Sequence, residues 1–121
     1  MDKGFTLLEI IATLVILSIL AAVAIPRYIS LDDSARQKAI DAGIAELNGR
    51  ETLTWSNQKI GFSYGGDPVL FELVDTSLGG DYTWLGDPPD AGGGTLGFQK
   101  SAGVALTRSA STTVHPGSWS R

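Results

Sequence analysis

The chain has no cysteine in its 121 residues, which excludes a disulfide clamp and any thiolate-held metal and leaves packing alone to stabilise whatever core it has. It has a single histidine, His115, set in a Ser/Thr-rich tail before Pro116-Gly117. No carboxylate pair at helical spacing accompanies that histidine, so it reads as a surface residue, and no catalytic residues and no cofactor are assigned. Basic residues are not in excess either. The formal net charge is −4, which argues against a nucleic-acid footprint spread over the surface, and no specific nucleic acid is indicated. The run Gly92-Gly93-Gly94 lacks the lysine and helix that a phosphate loop needs after it, so it reads as a flexible turn.

Charge is also nearly absent from one long stretch. Phe5 to Ile25 is 21 residues, 17 of them apolar, interrupted only by Thr6, Glu9, Thr13 and Ser18. As a helix it would span about 32 Å, close to the ~30 Å hydrocarbon core of a bilayer. Glu9 is the only charged residue within it. A carboxylate at that depth costs roughly 2.5–3.5 kcal/mol on insertion scales, so intramembrane acids face a protein partner and mark function. The partner expected for Glu9 is a cation.

Three readings compete for residues 1–25. A conventional secretory signal would use Ala22-Val23-Ala24 as its small-x-small cleavage site and release a protein beginning at Ile25. Against this, the apolar run exceeds the ~7–15 residues of a signal core, its basic region is Lys3 alone beside Asp2, and it contains Glu9. An ordinary single-pass anchor accounts for the length but not for Glu9. The third reading takes Gly4-Phe5-Thr6-Leu7-Leu8-Glu9 together: a short polar leader with Lys3, then glycine, an aromatic residue, and an apolar helix with glutamate at its fifth position. With Pro26 near the end of the apolar run, this segment resembles the type IV pilin and type II secretion pseudopilin superfamily.

That resemblance implies cleavage between Gly4 and Phe5 by a membrane prepilin peptidase on the cytoplasmic side, followed by methylation of the new Phe5 amine. Chemistry gives the motif an independent sense. The amine created at Phe5 lies about one helical turn from Glu9, so cation and carboxylate can neutralise each other within a chain or pair between neighbouring chains. Pairing between chains would relieve the desolvation of Glu9 and favour an axial stagger over flush packing. Glycine before the cut offers no side chain to obstruct a protease subsite and adopts extended conformations readily.

Pro26 removes a backbone hydrogen bond and disfavours α geometry at Ile25, so it predicts a kink or a local loosening of the helix, the alternative being a helix end. Helical patterning resumes beyond it. Ser30-Leu31-Asp32-Asp33 has capping-box character, Asp32/Arg36 and Glu46/Arg50 are i,i+4 acid-before-base pairs, and the helix is expected to run to about Trp55. Ile40, Ile44 and Leu47 form an apolar stripe on which Glu51 intrudes before Trp55 returns to the same face. Gly43 and Gly49 are expected to weaken this helix by ~1 kcal/mol each.

Beyond Ile60, glycine, serine, threonine and aromatics mark a change to short strands and turns. Asp67-Pro68 reads as an N-cap and first helical position for a short helix Val69 to Leu78 closed by Gly79-Gly80, with a buried strand at Val69 to Val74 as the alternative. Tyr82 to Leu85, Thr95 to Phe98 and Val104 to Arg108 read as three strands, the first connection being broken by Asp87-Pro88-Pro89-Asp90 and the glycine run. Trp55 and Trp84 fit a core by pattern, whereas Trp119 is equally a core or a contact residue. Asp81, Asp87 and Asp90 are weak candidates for calcium, which takes six to eight oxygens in tolerant geometry, but they match no EF-hand and read better as solvated turn residues. Ile60 to Gln99 holds six acids and no base, and Lys100 to Arg121 three bases and no acid. Those two halves can attract each other within a chain or between chains, or be solvated surface.

The expected fold is therefore α+β: a long N-terminal helix, half membrane-spanning and half amphipathic, packed on a small antiparallel sheet. The expected organisation is a leader at 1–4, a transmembrane or filament-core helix at 5–25, its amphipathic continuation at 26–58, and a globular head at 59–121. By the resemblance, the chain is a structural subunit of a type IV filament, a pilin, with a pseudopilin of a type II secretion system as the alternative. Its partners would be further copies of itself in a filament, the prepilin peptidase, the inner-membrane assembly machinery, and membrane lipid before assembly. It would sit first in the bacterial inner membrane as a single-pass precursor and then in an extracellular or periplasmic filament. A reading of another class is a membrane-tethered binding module, for which Glu9 would be dispensable.

Overall fold

A computed structural model describes residues 4–121. Met1, Asp2 and Lys3 of the expected leader lie outside the described residues. The element order is helix α1 (Leu7–Ile60), helix α2 (Asp67–Leu73), and strands β1 (Tyr82–Asp90), β2 (Gly93–Phe98), β3 (Val104–Ser109) and β4 (Ser118–Ser120). The fold is α+β, with a long N-terminal apolar helix and one small antiparallel sheet, as the sequence leads one to expect. Two compact units divide the chain, one ending at Ala35 and the other running from Arg36 to Arg121.

The first unit is helical from Leu7 onward, and its apolar side chains are exposed throughout. Its hydroxyls are satisfied locally: Thr13 Oγ1 donates to the Glu9 carbonyl (2.9 Å) and Ser18 Oγ to the Leu14 carbonyl (2.7 Å). The backbone stays α-helical through Pro26, so a helix end at that residue does not occur, and Ser30 to Asp33 lie inside the helix and start nothing.

In the second unit, the sheet is a meander in the order β1-β2-β3-β4, antiparallel throughout. Its core combines Ile40 and Leu47 of α1 with Leu96, Leu106 and Trp119, and Ile44, Phe71, Leu78, Tyr82, Trp84, Phe98 and Val104 pack around them. The spacing Ile40, Gly43, Leu47, Glu51 is the buried stripe of this part of α1. Gly43 is a close-approach position as well as a propensity defect. A Cβ there would meet Tyr82 Cε1 at 3.0 Å and Leu96 Cδ2 at 3.2 Å, so the absent side chain is what lets the sheet approach the helix. Tyr82 fixes the same junction by donating its hydroxyl to the Ala39 carbonyl (2.7 Å).

Several local expectations are corrected. Helix α1 runs to Ile60, and it ends in a Schellman-type closure, with Phe62 N–H bonded to the Lys59 carbonyl and Ser63 N–H to the Gln58 carbonyl. Phe62 occupies the left-handed position of that closure at φ 53°, which glycine fills without penalty and which costs other residues roughly 1–2 kcal/mol. Helix α2 stops at Leu73 and does not reach Leu78. The reason lies downstream: Asp75 Oδ1 accepts from Ser77 N–H, and Arg50 takes the carbonyls of Asp75 and Ser77, so this segment finds its hydrogen bonds outside a helix. Asp67 does not cap α2, because Gly66 stands at the N-cap and the Asp67 carboxylate is engaged elsewhere.

Asp87 to Asp90 does not break β1, which extends to Asp90 with an irregularity after Leu85. Pro88 and Pro89 have no N–H to give a ladder, and β1 tolerates them because it is the edge strand. The β1–β2 turn is Ala91-Gly92, where Asp90 Oδ1 accepts from Gly92 N–H (2.8 Å), while Gly93 and Gly94 belong to β2. Trp119 belongs to the core, its ring tilted against that of Trp84 at 5.7 Å between centroids, and β4 is the strand that carries it there. Trp55 is half-buried and donates its indole N–H to the Thr112 carbonyl (2.8 Å).

Candidate functional site

Gly4 and Phe5 are both exposed, Phe5 at 82%. An added Cβ on Gly4 would meet nothing within 4 Å, so the backbone around the expected cut is sterically open. Glu9 begins the helix in a way the composition alone does not reveal. Its Oε2 accepts from the Thr6 N–H (3.0 Å) while its own N–H donates to Thr6 Oγ1 (3.2 Å). This is a reciprocal capping box, and Thr6-Leu7-Leu8-Glu9 is its sequence signature. Phe5, Glu9, Ile10, Thr13 and Leu14 line a shallow hollow of ≈ 200 Å³ on one side of the helix. The motif therefore presents an acid, an aromatic ring and an apolar wall together.

The second unit contains a buried ionic cluster that the sequence reading did not assemble. Arg108 of β3 donates from Nε to Glu51 Oε1 (2.5 Å) and from Nη2 to Glu51 Oε2 (3.1 Å), a bidentate pair in which both side chains are 0% exposed. The same guanidinium bonds both Asp67 oxygens at 2.8 Å and the Ala91 carbonyl at 3.1 Å, and it lies 4.9 Å from the Phe71 ring centroid. Ser111 adds its N–H and hydroxyl to Asp67 Oδ1, and Trp119 adds its indole N–H to Glu51 Oε1 (3.0 Å). Hydrogen bonds from Arg108 hold the Asp67 carboxyl at about 2, against the opposing effect of burial. Burial also works against the Arg108 cation, but the hydrogen bonds to Asp67 and Glu51 outweigh it and keep the guanidinium charged. One arginine thus ties α1, α2, β3 and the β1–β2 turn, and Glu51 brings in β4.

The signal for this cluster was present. Glu51 interrupts an apolar stripe, and a buried acid needs a cation. What the sequence did not disclose was which of the three C-terminal bases would supply it. Part of the charge asymmetry is used in this way, since the Asp67–Arg108 pair joins the acidic and basic halves within the chain. Gly117 makes room for the pair, because a Cβ there would lie 2.8 Å from both Arg108 Nη2 and Glu51 Oε2.

Asp81, Asp87 and Asp90 are exposed, and Asp90 is engaged in its own turn. No group of three or more His, Cys, Asp or Glu side chains is gathered for a metal ion among the described residues. His115 is exposed, its N–H held by Thr112 Oγ1 in a local turn.

The geometry leaves an exposed apolar helix, opened by a Thr6–Glu9 box directly after Gly4-Phe5, to be set beside known proteins. Residues 1–25 match the family model described as the prokaryotic N-terminal methylation motif. The N-terminal segment therefore carries a prepilin-type N-terminal methylation motif. The prepilin-type segment also lies in a chain similar to the type IV narrow pilus major component PilA5 of Thermus thermophilus, 49% identical over 45 residues. That alignment covers 37% of this chain and 39% of the relative, so the chain spans well under half the length of the curated relative it matches. No solved structure matches. Among the described residues, α1 is the one helix long and apolar enough to cross a membrane, which suits a prepilin-type precursor.

Proposed function

We propose that the chain is a structural subunit of a type IV filament, cut after Gly4, methylated at Phe5, and polymerised through the apolar part of α1. The observation that carries this reading is the exposed apolar helix whose only charged residue from Phe5 to Ile25, Glu9, sits one turn inside a methylation-motif N-terminus. Exposed apolar surface of that extent needs lipid before assembly and protein after it. Glu9 has an internal donor in the Thr6 N–H, which makes the precursor tolerable in lipid. Cleavage adds a cation next to that box, and exchange between chains then becomes available to the carboxylate. Pro26 gives the helix a point at which it can bend as neighbouring copies pack.

The chain acts by assembly and makes or breaks no bond of its own. Its partners are copies of itself, the prepilin peptidase and the inner-membrane assembly machinery, and its location passes from membrane precursor to filament. Of the two filament classes we favour the pilus, on the similarity to a pilus major component. Glu9→Leu tests the reading in cells that carry the peptidase and the assembly machinery: cleavage and head folding are expected to persist while incorporation into sheared filaments is lost. Incorporation of Glu9→Leu at the normal level would remove the pairing mechanism, whereas absence of the wild-type chain from filaments would favour a tethered module.

A further inference from the structure

Phe62 is 98% exposed, the most exposed large apolar residue of the second unit, and it is held in a left-handed backbone conformation that glycine would adopt freely. A strained, fully exposed aromatic is an outlier that points to a contact. Around it the same end of the unit carries Ile60 at 78% and Val114 at 79% exposure, with Lys59 lying over the rings of Trp55 and Tyr64. Phe62, Tyr64 and Thr113 line one hollow there, which places the residue 112–115 loop beside the knob.

The second unit also has a socket. Leu78, Tyr82, Trp84, Pro88 and Pro89, with Gly86, line a concavity of ≈ 380 Å³. It is built rigidly: Tyr82 is tied to the Ala39 carbonyl, Trp84 donates its indole N–H to Thr76 (2.8 Å) and packs on Trp119, and two prolines form one wall. Aromatic and proline faces of this kind accept a phenyl ring edge-on or stacked. Knob and socket lie at different places along the unit. The Tyr82 edge of the socket is tied to Ala39 and its Ser77 edge to Arg50, which precede Ile60 by 21 and 10 residues on α1, or about 32 and 15 Å along the helix.

We propose that Phe62 of one copy inserts into the Leu78/Tyr82/Trp84/Pro88/Pro89 socket of the next copy, a head-to-tail contact between heads that repeats along the filament; this rests on the filament reading above. A contact between two different patches is heterologous, and where the rotation between copies does not close it propagates as an open array. Charge favours the same pairing. The knob end brings Lys59, while at the socket Asp75, Asp81 and Asp87 outnumber Arg50 and Lys100, with Asp87 standing between the lining residues Gly86 and Pro88. Complementary patches of this kind fix register and orientation.

The absence of cysteine makes the test clean. Ser63→Cys beside the knob and Asp87→Cys beside the socket are introduced together into the full-length chain, which keeps Phe62 and every residue lining the socket and removes one of the three acids around it, and sheared filaments are treated with a short bismaleimide. A covalent ladder of dimers, trimers and longer chains from the double variant, with no crosslink from either single variant, is the expected result. Phe62→Gly added to the double variant should abolish the ladder and reduce filament yield roughly tenfold or more, with no fall in the melting temperature of the head. Filaments of normal yield without a ladder would overturn the contact and leave the filament reading standing. A dimer from a single variant would overturn it in favour of a symmetric contact. Failure of the wild-type chain to appear in filaments would overturn both readings.

Discussion

Truncating Arg108 to alanine should strongly destabilise the unit that runs from Arg36 to Arg121. The substitution leaves Glu51, fully buried, without its cation, and strips Asp67, whose side chain is 13% exposed, of two hydrogen bonds. Removing one partner of a buried ion pair costs about 3–5 kcal/mol because the other charge stays uncompensated. The partial exposure of Asp67 lets water relieve some of that, which favours the lower half of the range. A unit spanning Arg36 to Arg121 is 86 residues (121 − 36 + 1), and at ~0.05–0.15 kcal/mol per residue its whole stability is roughly 4–13 kcal/mol. One side chain therefore decides a quarter or more of the total. At ~4–8 °C per kcal/mol for a domain of this size, the melting temperature should fall by at least about 12 °C. Tryptophan fluorescence of the full-length protein in detergent reads this directly, since buried Trp119 donates to Glu51. Glu51→Gln with Asp67→Asn and Arg108→Met, which removes all three charges but keeps an acceptor for Trp119, should recover most of the loss. A fall below about 4 °C for Arg108→Ala would refute the clamp.

Other outcomes follow from the same geometry. Gly43→Ala should lower stability by about 1–3 kcal/mol despite its better helix propensity, because its Cβ would press on Tyr82 and Leu96; a rise in melting temperature would show that the sheet gives way freely. Asp67 titrates at about 2 when folded, below its ordinary 3.8. Its contribution of about 2 kcal/mol is thus fully present above pH 4 and disappears as the pH falls through 2. Acid titration of the melting temperature should show that loss, and Asp67→Asn should flatten the profile in the same window. Gly117→Ala should mimic Arg108→Ala in part, by wedging a methyl against Arg108 Nη2 and Glu51 Oε2, and circular dichroism melts of the two variants should rank in that order.

The long helix was legible because two signals follow one another along it, an apolar run with four polar interruptions and then an amphipathic stripe at helical period. The three main strands were legible from β-branched and aromatic residues between turns. What sequence could not supply was the partner of each polar anomaly. Glu51 was visible as an intrusion, but Arg108 lies 57 residues away, and only the closing of β3 onto α1 makes them a pair. Trp119 looked terminal, yet a three-residue strand beside Ser109 carries it into the core. The Pro88-Pro89 stretch reads as a breaker because proline cannot donate to a ladder, and only the knowledge that β1 is an edge makes it a strand. At the N-terminus the reverse held. The Thr6–Glu9 cap is a local i,i+3 device, present in the sequence as Thr-x-x-Glu, and it gives Glu9 a near partner besides any distant cation.

The intact mass and N-terminal sequence of the membrane-associated protein, made with and without a prepilin peptidase, test the filament-subunit reading most directly. A product beginning at methylated Phe5 only in the presence of the peptidase is predicted. An uncut chain under both conditions, or one beginning at Ile25, would contradict it.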